Sequence, residues 1–465
     1  MLSFFKLNDP LRLVALAILA FLLKLPTLLN TVAYPETIHW FTIGEAMQSS
    51  AMYVDIWDGL APFSAIIYMV FTWLFGRSIL WLLLLGTALT FFQALIINTY
   101  SKKAKLFENN TNLPAFAFVI LSSTSPSFFT LSPALMGLTF ILLGLGKLLS
   151  HVEFRAKKDL HIILIGLYLG SSILFFLPYV FIIPISLLLL ALFSNTVIRR
   201  FLLLFFASVT PLIMAFIYYG LISDHPAYFV NNFFLINTSF SFYPSVSWLQ
   251  AVKTIAFPLF ILILGVLSFG KQRRLTNYQN RVMQLFLALG VMLLSVLLLE
   301  KPITYYGLVF ILPIASYFTV HFISLFRNRI YTLILSATLF LAPPAILWSY
   351  STSLFLGLAI DPINPINREY FPIVKNKKIM VLGDAPYLYK EAKLAGPFYN
   401  WGLSKQFFTK LDYYDNLVFL QHHLEKSAPE IIIDLENNWP QIAERLPVIA
   451  SQYYLIQPNV WQLKK

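Results

Sequence analysis

Apolar runs long enough to cross a bilayer succeed one another from Leu11 to Tyr350, and charge is largely confined to the short stretches between them. Each run spans about 14 to 22 residues, close to the ~20 a helix needs to traverse hydrocarbon. In lipid only helices and closed barrels satisfy every backbone donor. Runs of this length therefore dictate an all-α polytopic membrane protein. Composition agrees: 58% of 465 residues are hydrophobic and 12% are charged, against about 25% charged in soluble domains. Mean hydropathy is +0.73.

The net charge of +12 does not point to nucleic acid. Up to Tyr350 most basic residues sit in short clusters between the runs: Lys102, Lys103 and Lys105; Arg155, Lys157 and Lys158; Arg199 and Arg200; Lys271, Arg273 and Arg274; Arg327 and Arg329. Such clusters mark cytoplasmic loops. Placing them inside gives crossings at roughly 11–30, 79–99, 112–125, 131–150, 161–175, 177–194, 200–220, 249–269, 281–299, 303–325 and 329–349. That scheme, with about 11–13 helices allowed, leaves the N-terminus cytoplasmic and the C-terminal region outside. Ala61 to Phe75 is short for a crossing, and counting it would flip the parity. We read it as a juxtamembrane or re-entrant helix. The first run contains Arg12 and Lys24 and has no clear cleavage site, so it reads as a retained anchor.

Hydropathy collapses after Tyr350. The expected domains are a transmembrane region 1–350, a linker 351–376 containing Asp361-Pro-Ile-Asn-Pro, and a small α/β extramembrane domain 377–465. Strands are expected at Lys378–Leu382, Ile431–Asp434 and Tyr453–Gln457. Helices are expected at about 385–395, 415–427 and 438–448. No glycine-rich phosphate loop is present. With no cysteine in the chain, disulfides, thiol catalysis and Cys-ligated metals are excluded.

One loop departs from the basic trend. Thr31 to Leu60 carries four carboxylates, Glu36, Glu45, Asp55 and Asp58, among His39, Trp40, Tyr53 and Trp57, and has no lysine or arginine. A loop without positive charge belongs on the exported side. Acids beside a membrane can activate a hydroxyl, hold a divalent metal, or simply keep the loop wet. Asp55 and Asp58 would share a face if helical. Transfer of a sugar from a lipid phosphate needs a base near the acceptor and a cation at the departing phosphate. Lys301 fits the second role: it lies at the expected outer end of a hairpin, with Tyr305 and Tyr306 within reach. Snorkelling to lipid headgroups is its plain alternative. Snorkelling and cytoplasmic anchoring explain Lys24 and Arg77. One histidine near acids does not make His39 a metal ligand, and the adjacent His422 and His423 read as surface residues.

The segments Tyr34-Pro-Glu36-Thr-Ile-His39-Trp40, Tyr53-Val-Asp55-Ile-Trp-Asp58, Ala61-Pro62-Phe63 and Leu74-Phe75-Gly76 resemble the first outer loop of GT-C glycosyltransferases. Glycosyltransferase family 39, which includes protein O-mannosyltransferases and the lipid A aminoarabinose transferase, is most similar. Ser125-Pro126 to Gly146-Lys147 resembles the second outer turn, and Glu300-Lys301-Pro-Ile-Thr-Tyr305-Tyr306 to Leu312-Pro313 the late basic segment. The resemblance implies a polyprenyl-phosphate-linked sugar donor, a lipid, glycan or protein acceptor, and work on the periplasmic face of a bacterial inner membrane. It implies catalytic roles for Glu36 and Asp58, with Asp55 beside them, and phosphate contact for Lys301. Tyr305, Tyr306, His39 and Trp57 are the expected substrate-binding residues. Leu60-Ala61-Pro62-Phe63 stands where the family has Lys-Pro-Pro-Leu, and Thr37 where it often has Glu. A non-catalytic scaffold of the same fold is the alternative. Membrane lipid is the other implied partner. Neither sugar, acceptor, metal requirement nor protein partner can be read from these residues.

Overall fold

The computed structural model describes residues 2–31, 34–154, 159–193, 197–222, 227–235, 248–268, 276–299, 304–326, 328–352 and 370–464. Glu300 and Lys301 lie outside these, as do the basic clusters at 155–158 and 271–274, Arg327, residues 236–247, and 353–369 of the linker. The chain forms two compact units. One comprises Met1–Val32, Ile79–Met214 and Ser245–Ala359, the other Ala33–Ser78, Ala215–Pro244 and Ile360–Lys465. The first four helices longer than ten residues are α1 (Pro10–Leu29), α2 (Pro35–Ala46), α3 (Pro62–Phe75) and α4 (Ile79–Lys103).

The first unit is a helical bundle. Among the described residues, seven helices are long and apolar enough to cross a membrane: α1, α4, Pro133–His151, Ile198–Ile222, Trp248–Ser268, Tyr306–Leu325 and Ile330–Tyr350. Leu113–Ser122, Asp159–Ile173 and Leu177–Phe193 are apolar but shorter. The chain is thus a polytopic membrane protein. Leu113–Ser122 is buried along its whole length, whereas α1 leaves Leu11, Val14, Ile18, Leu22 and Leu29 exposed. Such an apolar outer face suits lipid, not water. Asp9 starts α1 by accepting the Leu11 N–H at 3.0 Å, and Pro10 occupies the first helical position. Close approach is sequence-encoded at Gly86 of α4, where an added Cβ would stand 2.0 Å from the Phe129 carbonyl oxygen. Lys24 does not snorkel. It is fully buried, donates to Thr90 Oγ1 at 2.6 Å and lies 4.8 Å from the Phe129 ring.

The second unit joins α2, α3 and the α/β segment. α2 and α3 pack through stacked rings, Trp40 on Tyr68 at 5.2 Å and Phe41 on Phe71 at 5.8 Å. Gly44 permits this approach, because a Cβ there would meet the Tyr68 carbonyl oxygen at 2.5 Å. α3 turns Tyr68 and Phe71 inward and leaves Ile66, Val70, Trp73 and Leu74 exposed. Its 14 residues reach about 21 Å at 1.5 Å per residue, short of the ~30 Å hydrocarbon core.

A five-stranded sheet organises the rest: β1 (Lys378–Leu382), β2 (Lys393–Leu394), β3 (Ile431–Asp434), β4 (Tyr453–Gln457) and β5 (Val460–Leu463), in the order β2-β1-β3-β5-β4. β2, β1 and β3 run parallel, while β5 is antiparallel to β3 and β4. Helices Trp401–Thr409, Tyr414–Lys426 and Trp439–Arg445 accompany it, around a core that includes Met380, Leu382, Phe408, Ile432 and Trp439. The helix expected at 385–395 is instead a 3-10 turn, Pro386–Lys390, followed by β2. Lys393 N donates to Lys377 O at 2.9 Å, so pairing with a neighbour in space overrides the local helical pattern.

Candidate functional site

The acidic loop organises around α2. Tyr34 precedes the helix in an extended conformation, Pro35 opens it, and Glu36 sits in the first turn. His39 follows one turn later on the same side. Its Nε2 lies 2.9 Å from Asp58 Oδ1, and both side chains are buried. Asp58 Oδ1 also accepts the Leu60 N–H at 2.7 Å. The imidazole plane stacks on Tyr399, ring centres 5.2 Å apart and planes 4° from parallel. A buried carboxylate is tolerated only where polar partners converge on it, and here a backbone amide donates to it while the imidazole lies at ion-pair distance.

Glu36 is drawn into this cluster electrostatically. Burial raises its carboxyl pKa above the ordinary value, partly offset by a backbone N–H and by the charge of His39. Burial, and then the negative charge of Asp58, raise the Tyr399 phenol well above its usual range, so it stays neutral. Asp58 is held in place by a tight turn. Tyr53 adopts φ 67°, a conformation costing about 1–3 kcal/mol for a bulky residue. Its N–H donates to Ile56 O at 2.8 Å and its hydroxyl to Leu60 O at 2.5 Å, which locks the turn that presents Asp58.

The other two acids of the loop are used differently. Asp55 does not share a face with Asp58, because the segment is a turn and not a helix. Asp55 Oδ1 pairs with Lys426 Nζ at 2.7 Å, and its Oδ2 accepts the Ala51 N–H at 3.1 Å. Burial alone would raise its pKa; these bonds and the ammonium charge outweigh that and lower it. Glu45 takes a bidentate pair from Arg77, Nε to Oε1 at 2.9 Å and Nη2 to Oε2 at 2.8 Å. Arg77 Nη2 also donates to Ala392 O at 2.7 Å, and Nη1 to Lys390 O at 2.7 Å and to Tyr389 O. All five guanidinium donors are engaged. Anchoring to cytoplasmic headgroups is not what this arginine does. Its sequence signal was its position, a positive charge two residues before α4 at the expected outer end.

Trp57 is buried against Phe407 and Phe419, at 4.7 and 4.8 Å between ring centres, and its backbone amide donates to Pro397 O at 3.2 Å. It therefore serves packing within this unit. His423, 4.2 Å from the Phe419 ring, is half-buried and pushed down to about 4, first by burial and then by His422. In the first unit, Tyr306 sets its ring edge-on to Phe176 at 5.7 Å, and Tyr305 packs beside the same apolar core. Lys301 is outside the described residues. Among the described residues no three His, Asp or Glu side chains are placed to hold a metal ion together. Asp55 is committed to Lys426 and Glu45 to Arg77.

No family model matches the chain, and no curated protein does either. Solved structures do. ArnT from Cupriavidus metallidurans, bound to undecaprenyl phosphate, superposes with a TM-score of 0.55 over 97% of this chain and 97% of its own, at 10% identity. The archaeal oligosaccharyltransferase AglB from Archaeoglobus fulgidus, in complex with an inhibitory peptide and a dolichol-phosphate, superposes with a TM-score of 0.51 at 11% identity. That match covers 97% of this chain and 73% of AglB. The chain therefore shares the fold of these two structures.

Proposed function

We propose that the protein transfers a sugar from a polyprenyl-phosphate-linked donor to a lipid, glycan or protein acceptor on the periplasmic face of a bacterial inner membrane. The observation that carries this reading is the fold shared with ArnT along nearly the whole of both chains. The cluster of half-buried Glu36 with buried His39 and Asp58, in the loop that follows α1, supports it from the residues' side.

In this reading the acceptor hydroxyl oxygen attacks the anomeric carbon, its proton passes to the Glu36 carboxylate, and the bond from that carbon to the phosphate oxygen breaks. A base with an elevated pKa removes such a proton more effectively near neutral pH. Asp58 holds the His39 imidazole, which sits one turn from Glu36 and orients the acceptor beside it. Asp55 and Trp57 tie the loop to the α/β segment and keep this geometry. Lys301, with Tyr305 and Tyr306, is assigned to the carrier phosphate from the sequence alone; a cation there would offset the charge that develops on the leaving group.

Glycan profiling tests the reading. A deletion strain should lose one envelope sugar modification that the wild-type gene restores and the Glu36→Gln gene does not, although the variant inserts normally. An unchanged profile in the deletion strain would favour a non-catalytic scaffold.

A further inference from the structure

The α/β segment and the turn before α4 enclose a cleft of about 350 Å³, separate from the Glu36 cluster, lined by Glu45, Arg77, Lys375, Lys390, Glu391 and Lys393. We infer that this cleft binds a phosphate-bearing lipid headgroup. Four of these side chains are cationic and two anionic. Glu45 and Arg77 neutralise one another in their bidentate pair, and every Arg77 donor is already engaged. The charge left to face a ligand is therefore that of Lys375, Lys390 and Lys393 against Glu391 alone.

The three lysines are exposed, but the backbone that carries them is fixed. Arg77 holds the carbonyls of Tyr389, Lys390 and Ala392. Asn376 takes a left-handed φ of 58° and donates its N–H to Glu391 O at 2.8 Å. Lys393 N–H in turn donates to Lys377 O at 2.9 Å. Protection of a sheet edge explains lysines on the edge strand itself, which here accounts for Lys393 on β2. It does not explain why Lys375, ahead of β1, and Lys390, at the end of a 3-10 turn, converge on the same hollow.

Phosphate is the chemistry that fits. Ammonium groups on flexible stems bind phosphate as point charges, and the volume admits a phosphate with a small headgroup. A lipid is the fitting source, because Arg77 stands two residues before the membrane-crossing helix α4. Basic residues flanking a membrane-crossing helix are drawn to anionic headgroups.

The test uses the full chain in nanodiscs of phosphatidylcholine containing a small fraction of phosphatidic acid, with retained lipid counted by native mass spectrometry. Wild type should hold phosphatidic acid over phosphatidylcholine, and Lys375→Ser/Lys390→Ser/Lys393→Ser should reduce that retention at least about tenfold at low salt. Unchanged thermal unfolding would show that the variant is folded. A second arm titrates inorganic phosphate into lipid-free detergent solution. Binding there that the triple variant loses would keep the site and assign it to free phosphate. Equal phosphatidic acid retention by wild type and variant, with no loss of inorganic phosphate binding, would overturn the inference.

Discussion

Two pairs of carboxylates in one loop meet opposite fates. Glu45 and Asp55 are each claimed by a cation, Arg77 and Lys426. Glu36 and Asp58 have no lysine or arginine partner among the described residues and gather instead around His39 and Tyr399. The consequence is electrostatic: Asp55 is lowered by its partner, while Glu36 is raised by burial. Within a single stretch of chain, the cation partner separates acids that tie structure from acids that meet only an imidazole and backbone amides.

The largest expected effect breaks the pairs apart most sharply. Glu36→Gln should cost at least about 100-fold in transfer rate, the lower end for a general base, with no change in thermal midpoint. Glu45→Gln and Arg77→Met should do the reverse. Each leaves one half of a largely buried pair uncompensated, so unfolding free energy should drop by about 2 kcal/mol while the rate per folded molecule persists. Equal rate losses in Glu36→Gln and Glu45→Gln would erase the distinction.

A smaller effect concerns pH. A base acts when deprotonated, and burial raises Glu36, so activity should fall on acidification at a pH above the ordinary carboxylate value. The His39 charge counteracts that rise. His39→Gln should therefore shift the acid limb of the rate profile to still higher pH, and an unmoved limb would detach His39 from Glu36.

Smallest is the surface tie. Lys426→Met should lose about 0.5–1 kcal/mol, as expected for a partly exposed pair. Since the Asp55 pKa is lowered in the fold, its contribution is present above the unfolded carboxylate value and is lost as pH falls through the folded one. Wild type and variant should thus converge in stability in acid, as chemical denaturation at several pH values would reveal.

Much of this was legible in the chain. Apolar run length marked the bundle, and short runs of β-branched and other apolar or aromatic residues marked β1, β3 and β4 to the residue. β2 has only two residues and leans on β1, so nothing local announces it, and the stretch 385–395 looked helical instead. The helix Trp401–Thr409 was missed because its short apolar pattern follows directly on a loop. Glu36, His39 and Asp58 were visible because they lie close in sequence. Arg77 binds carbonyls more than 300 positions later, and Lys426 reaches Asp55 across 371. Contacts at that separation leave no periodicity to read.

The chain contains no cysteine, so single introduced thiols report side of membrane without background. Ser49→Cys, in the acidic loop, and Lys301→Cys, each in intact spheroplasts, should react with a membrane-impermeant maleimide. Reaction of either thiol only after permeabilisation would place a proposed part of the machinery in the cytosol and contradict transfer on the exported face.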